Sequence, residues 1–134
     1  MKTMTFLFGV VLFIYGCSKE ELKVTDPRQA ILGKWKLIEN DFGPISYPNS
    51  YDEYLPDSIL TGRNTNGDIY VSKYWMNDSI LFVMDTYYID EGPGFEDTIT
   101  VILPYRYEFL SYNRLQLDFQ NPAIVTKFIY KRIK

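Results

Sequence analysis

Residues 98–109 read TITVILPYRYEF, and this stretch decides the fold class of the chain. Apolar and aromatic residues alternate here with polar ones, and only Ile102 and Pro104 interrupt the polar face. A period of two over twelve residues predicts a strand with one buried face. The inward face holds Ile99, Val101, Leu103, Tyr105, Tyr107 and Phe109, and the outward face holds Thr98, Thr100, Arg106 and Glu108.

The same alternation recurs elsewhere in the chain. Residues 114–119 repeat it, and the link Ser111-Tyr112-Asn113 is short enough to join the two segments as a hairpin. None of the intervening segments has a convincing helical period. The predicted strands are Lys34–Glu39, Ser58–Thr61, Ile69–Trp75, Ser79–Ile89, Thr98–Tyr112, Arg114–Phe119 and Ile124–Ile133.

Successive strands with short connections and no crossover helix indicate an antiparallel meander. Such a sheet has to protect its edge strands, either by closing into an up-and-down barrel or by pairing with a second sheet in a sandwich. Periodicity alone leaves both architectures open.

The start of the first predicted strand favours the barrel over the sandwich. Residues 32–37 read LGKWKL, and the spacing Gly33-x-Trp35 resembles the opening of lipocalin-like domains, in particular the small ones on bacterial lipoproteins. The resemblance implies that Trp35 lies across the closed end of a barrel, with Arg132 from the last strand stacked over it. Such a cation–π contact is worth about 0.5–2 kcal/mol.

The residues before this motif predict a short helical turn, because Asp26 is a good N-cap and Pro27 suits the first helical position. We therefore expect an all-β fold over residues 26–134, with this short N-terminal helical turn. The strands form an antiparallel up-and-down meander, which closes into a small lipocalin-like barrel of about seven to eight strands.

The start of the chain predicts an anchor. Met4–Tyr15 is an apolar run of signal-peptide length, too short to span a bilayer. The following order Ile14-Tyr15-Gly16-Cys17 resembles the lipobox of bacterial lipoproteins, which implies cleavage after a signal peptide of residues 1–16 and acylation of Cys17. Residues 17–25 then form a lipidated tether to the membrane.

The acidic residues of the tether have two interpretations. Ser18-Lys19-Glu20-Glu21 resembles the short acidic signals that carry some Gram-negative lipoproteins to the surface of the outer membrane, and it equally suits a solvated linker. The expected location is the outer membrane of a Gram-negative cell, through the lipid on Cys17.

Composition argues against several functions. The chain has no histidine and one cysteine, so His-dependent triads, Cys–His pairs and histidine metal sites are excluded. Without residues 1–16, 13 basic side chains face 17 acidic ones, which disfavours nucleic-acid binding. We expect no catalysis, no metal site and no cofactor.

Residues 41–56, between the first two predicted strands, carry three prolines and several aromatic residues. A connection of this length is often functional, and in lipocalins the corresponding loop is a lid. The alternative is that these aromatic residues only pack on the barrel. The candidates for ligand contact in this segment are Phe42, Tyr47, Tyr51 and Tyr54.

Three predicted strand starts share the pattern Asp-Ser/Thr-Ile: Asp57-Ser58-Ile59, Asp78-Ser79-Ile80 and Asp97-Thr98-Ile99. The triplet resembles an O-glycosylation acceptor of some Gram-negative bacteria, which makes Ser58, Ser79 and Thr98 candidate glycan sites. Turn chemistry explains the repeat equally well, because Asp favours turns and β-branched residues favour strands.

Two functions follow for the barrel. In the first, the cup binds a small apolar or aromatic ligand, lined by Val71, Phe82, Val101, Tyr105, Leu117 and Phe119. In the second, a filled barrel presents tyrosine-rich loops to a surface protein or a glycan. The 12 tyrosines suit both, since tyrosine combines a large contact area with a polar tip.

Overall fold

The computed structural model describes residues 24–90, 92–94, 96–121 and 123–134. The predicted signal peptide 1–16, Cys17 and the tether as far as residue 23 lie outside the described residues. One short helix and nine strands follow in order: α1 Pro27–Ala30, β1 Gly33–Asn40, β2 Gly43–Pro44, β3 Tyr51–Leu55, β4 Ile59–Arg63, β5 Ile69–Met76, β6 Ile80–Asp90, β7 Glu96–Ser111, β8 Arg114–Asn121 and β9 Ile124–Ile133.

Eight of the nine strands close into an antiparallel barrel. From β3 to β9 each strand pairs with the next, and β1 pairs with both β3 and β9. The β1–β9 ladder runs from Lys34 opposite Ile133 to Asn40 opposite Phe128, with a bulge between Leu37 and Glu39. Strand β2 is an extra strand on the far end of β1. The predicted all-β meander and barrel are confirmed, and the sandwich is excluded.

Strand β3 corrects the sequence analysis, which treated residues 41–56 as one long connection. Tyr51–Leu55 instead forms a barrel strand between β1 and β4. Its Asp52 pairs with the fully buried Trp35 and therefore points inward. A polar residue at an inward position removes the alternation by which the other strands were recognised.

Helix α1 and Trp35 close one end of the barrel. The carboxylate of Asp26 accepts a hydrogen bond from the Arg28 amide at 2.9 Å, which caps α1. The Trp35 indole is fully buried and donates to the carbonyl of Ile31 at 2.6 Å. This closed end has a continuous apolar core: Ile31, Trp35, Tyr54, Leu60, Tyr74, Leu81, Leu115 and Leu117.

Arg132 fixes this end by several contacts at once. Its guanidinium lies 4.2 Å from the centre of the Trp35 ring and 4.6 Å from that of Tyr112. It also donates to the carbonyl oxygens of Leu32, at 2.6 Å, and Ala30. Gly33, with φ of +112°, lets the chain pass close beneath, since an added Cβ would lie 3.1 Å from Arg132 Nη1.

Strands β6 and β7 continue beyond the barrel as a two-stranded arm. They pair over their full length, from Ile80 opposite Arg106 to Asp90 opposite Glu96. Their outer neighbours stop earlier: β5 pairs with β6 only from Tyr74 to Met76, and β8 pairs with β7 only from Tyr105 onward. We define the arm as residues 86–90 with 96–100.

None of the helices in the described ranges is long and apolar enough to cross a membrane.

Candidate ligand-binding cup

The open half of the barrel contains a cavity of about 500 Å³. Three residues of the buried core, Tyr54, Leu60 and Leu117, line it together with polar inward residues such as Asp52, Ser72 and Asp85. Ligand sites typically measure about 300–1,000 Å³. The floor and walls of this cup include Leu37, Asp52, Tyr54, Leu60, Tyr70, Ser72, Val83, Asp85, Leu103, Tyr105, Leu117 and Tyr130.

Asp52 is a carboxylate at the inner wall of the cup. It is half-buried, and the hydroxyl groups of Tyr70 and Tyr130 hydrogen-bond to it. Burial raises the pKa of Asp52, and the two hydroxyl bonds act in the opposite direction. No basic side chain among the described residues contributes to this shift.

Gly62 makes room for the bond between Tyr70 and Asp52. It lies opposite both residues in the sheet, paired with Asp52 on one side and Tyr70 on the other. A Cβ at this position would lie 2.6 Å from the Tyr70 hydroxyl oxygen and would overlap the carbonyl of Tyr51. A strand position without a side chain thus lets the phenol of Tyr70 cross β4 to reach the carboxylate.

Tyrosine phenols surround this carboxylate. Burial, followed by the charge of Asp52, raises the pKa of Tyr54, Tyr70 and Tyr130 well above the usual range. Burial raises the pKa of Tyr105 to about 12, with further contributions from nearby Tyr87, Asp52 and Asp85. These phenols therefore stay neutral around pH 7 and act as hydrogen-bond donors.

Asp85 is the second carboxylate of the cup. It follows the inward residues Leu81 and Val83 on β6 at intervals of two, and it pairs with Val101. The Thr86 amide donates to it at 2.9 Å, and the Tyr87 hydroxyl on the arm hydrogen-bonds to it. Both Asp52 and Asp85 raise the pKa of Tyr70, so the two carboxylates face one region.

The wall beside Asp85 is open, because β5 leaves β6 at this level. The last paired residues are Tyr74 and Val83, and beyond them the Ser72 hydroxyl bonds to the Met84 carbonyl. The ends of β3 and β4 and the loop residues beside them complete the mouth of the cup: Tyr47, Ser50, Tyr51, Arg63, Asn64 and Thr65.

The loop 45–50 at the mouth is held to β1 at two points. The Ile45 amide donates to the Ile38 carbonyl at 2.8 Å, and Lys36 Nζ donates to the Pro48 carbonyl at 2.9 Å. These bonds bring Tyr47 to the cup.

The predicted ligand-contact residues divide into three groups. Tyr47, Tyr51, Tyr54, Tyr105 and Leu117 line the cup. Val101 and Phe119 have inward register but do not line it; Val101 lies opposite Asp85, and Phe119 packs 5.3 Å from the ring centre of Tyr105. The third group, Phe42, Val71 and Phe82, lies outside the barrel interior.

Phe42, Val71 and Phe82 correct the predicted lining. Phe42 is 95 % exposed in the turn after β1, and Val71 is 74 % exposed. On β5 the inward positions carry Tyr70, Ser72 and Tyr74, so Val71 between them faces solvent. Phe82 stacks on the outer face against Trp75, with ring centres 5.5 Å apart.

Four important cup residues were missed by the sequence analysis: Asp52, Tyr70, Asp85 and Tyr130. Assigning the inward face to apolar residues hid the two carboxylates. The available signal was register, since Asp85 continues the inward series of β6 and Tyr70 and Ser72 continue that of β5.

The candidate glycan sites are all exposed. Ser58 ends the short 3-10 turn Pro56–Ser58, where it and Asp57 have φ near +65° (64° and 66°). Ser79 lies in the turn before β6, with its amide bonded to Asn77 Oδ1 at 2.9 Å. Thr98 lies on the arm. Ser58 and Ser79 therefore lie at the closed end, and Thr98 at the open end.

Within the described residues, no group of three or more acidic or cysteine side chains is placed to hold a metal ion. No protein-family model, curated protein or solved structure matches this chain.

Proposed function

We propose that this protein is a non-catalytic, lipid-anchored binding protein of the cell envelope, which holds a small ligand with an aromatic or apolar body in the cup. The observation that carries the proposal is the cavity of about 500 Å³, lined by Leu37, Val83 and Leu103 as well as by tyrosine rings. Apolar walls with a few convergent polar groups are typical of small-molecule sites.

The anchor is part of the same proposal. Acylation of Cys17 would anchor the protein in the outer membrane, and the lipobox-like order Ile14-Tyr15-Gly16-Cys17 supports this part of the proposal. Glycans on Ser58, Ser79 and Thr98 are a separate proposal, supported by the repeated triplet and by the exposure of all three residues.

Native mass spectrometry of the full lipoprotein, extracted gently from its own membranes, tests these proposals together. We expect a mass that includes acyl chains on Cys17 and a small-molecule adduct that is lost on collisional activation. A protein of bare polypeptide mass would contradict the anchor and the glycans, and an empty barrel would contradict ligand binding.

A matched pair of variants ties the adduct to the cup. Leu103 faces the cavity, whereas its neighbour Ile102 faces outward and is 54 % exposed. We expect Leu103→Trp to fill the cup and reduce the adduct at least about tenfold. Ile102→Trp adds the same side chain outside and should leave the adduct unchanged. Equal adducts in both variants would place the ligand elsewhere.

A second candidate function is an interaction module for a surface protein or glycan. The observation that favours it is the arm, which exposes Tyr87, Tyr88 and Ile99 beyond the barrel. Exposed aromatic clusters mark interaction surfaces. In the same mass spectra, a second polypeptide retained by an empty barrel would support this function over ligand binding.

A further inference from the structure

We infer that the ligand is a cationic amine, whose ammonium group binds to Asp52 and Asp85 while its apolar or aromatic body packs against the walls of the cup. This inference rests on the proposed ligand-binding function and adds the chemical class of the ligand.

The charges inside the cup have one sign. Asp52 and Asp85 both line the cavity and have inward register. Arg63 is the basic residue among the lining residues, and it is an exposed residue at the mouth, paired with the outward Tyr51 and Ile69. Arg132, the inward base on β9, lies at the closed end against Trp35 and does not line the cup. The interior of the cup therefore attracts cations.

The tyrosine rings add a second attraction for the same group. Tyr70, Tyr105 and Tyr130 line the cavity around Asp52. The phenol hydrogens of Tyr70 and Tyr130 go to Asp52. Aromatic rings that line a cavity attract an ammonium group placed within about 6 Å of the ring centre.

Desolvation of the Asp52 carboxylate is unfavourable, and such a ligand offsets this effect. Desolvation is the main influence on its carboxylate, and no cation among the described residues compensates for it. A half-buried carboxylate without a cationic partner is unfavourable. An ammonium group in the cup would supply the missing partner. A neutral hydrogen-bond donor would supply a weaker one.

Three probes with one indole body and different ends test the inference: tryptamine, tryptophol and indolepropionate carry an ammonium, a hydroxyl and a carboxylate group. We would titrate each into the full chain in zwitterionic lipid nanodiscs by calorimetry, with empty nanodiscs as the blank. We expect tryptamine to bind at least about tenfold more tightly than tryptophol, and indolepropionate to bind most weakly.

Asp52→Asn is the decisive variant, with Glu53→Gln as its control. The two residues are adjacent on β3, but Glu53 has outward register, opposite Lys34 and Thr61. Asp52→Asn should remove the preference of the cup for tryptamine over tryptophol, and Glu53→Gln should leave it within about twofold. Asp85→Asn, at the open wall, should weaken the same preference, and it keeps the test possible if Asp52→Asn does not fold.

Other outcomes separate this inference from the function on which it rests. Equal binding of tryptamine and tryptophol, or a preference for indolepropionate, would overturn the inference. A preference that survives both Asp52→Asn and Asp85→Asn would also overturn it, as would the absence of binding by all three probes. In each case, an adduct in native mass spectra that Leu103→Trp removes would still support ligand binding.

Discussion

At the scale of single residues, Asp52 combines two roles that conflict with each other. Its carboxylate organises the phenols of Tyr70 and Tyr130, yet it is desolvated without a cation among the described residues. This conflict also explains why sequence analysis missed it: an inward carboxylate breaks the pattern by which buried faces are recognised. Functional positions are where such local rules are expected to fail.

The raised pKa of Asp52 predicts how stability depends on pH. Its contribution to the free energy of unfolding is fully present below the ordinary value of 3.8, and it is lost as pH rises through the raised value. Asp52→Asn removes this loss while keeping an acceptor for the phenols. We therefore expect the variant to gain stability relative to the wild type between about pH 4 and about pH 7.

Urea denaturation of both proteins at the two pH values measures this difference. The two proteins differ only at residue 52 and share the other titratable or charged groups that face it. These groups are Tyr54, Tyr70, Asp85, Tyr105 and Tyr130, with Arg63 at the mouth. Glu53→Gln controls for the loss of one negative charge from the same strand. A variant that is less stable at both pH values, by a constant amount, would show that Asp52 is structural only.

At the scale of secondary-structure elements, the long strands with regular alternation were the ones predicted most accurately. Strand β9 was predicted with its observed bounds, Ile124–Ile133, and β7 was placed within two residues of them. Both are long, with regular alternation. Strand β3 has five residues, two of them adjacent acids, and was taken for a loop. The lining on β5 was wrong for a related reason, since the apolar Val71 lies at an outward position and the polar Ser72 at an inward one.

The arm has few neighbours, because its two strands pair only with each other. We expect the amides of Thr98 and Thr100 to exchange with solvent faster than those of Tyr107 and Phe109 on the same strand. Hydrogen-exchange mass spectrometry of the native protein measures both regions of β7. Uniform protection along this strand would mean that the arm is held as firmly as the barrel wall.

At the scale of the whole molecule, closure of the barrel depends on contacts between β1 and β9 and on the clamp that Arg132 makes across them. Arg132→Ala removes two ring contacts and the hydrogen bonds to Ala30, Leu32 and Tyr112. We expect a loss of about 2–4 kcal/mol in the free energy of unfolding, from the charged hydrogen bonds and the cation–π contacts.

Chemical denaturation of the variant measures this loss, and Lys131→Ala provides the control, because Lys131 is an exposed neighbour on the same strand. Arg132→Lys should recover only part of the stability, since an ammonium group lacks the planar fork that reaches two carbonyls at once. A loss in Lys131→Ala equal to that in Arg132→Ala would rule out a specific clamp.

The clamp has a consequence for how the chain reaches this structure. Arg132 bonds to the carbonyls of Leu32 and Ala30, which lie 100 and 102 residues earlier in the sequence. Contacts between such distant residues give a high contact order, and β-rich proteins of this kind fold over about milliseconds to seconds. The closed end therefore cannot form before residue 132 is present, and a chain still being synthesised stays open at that end.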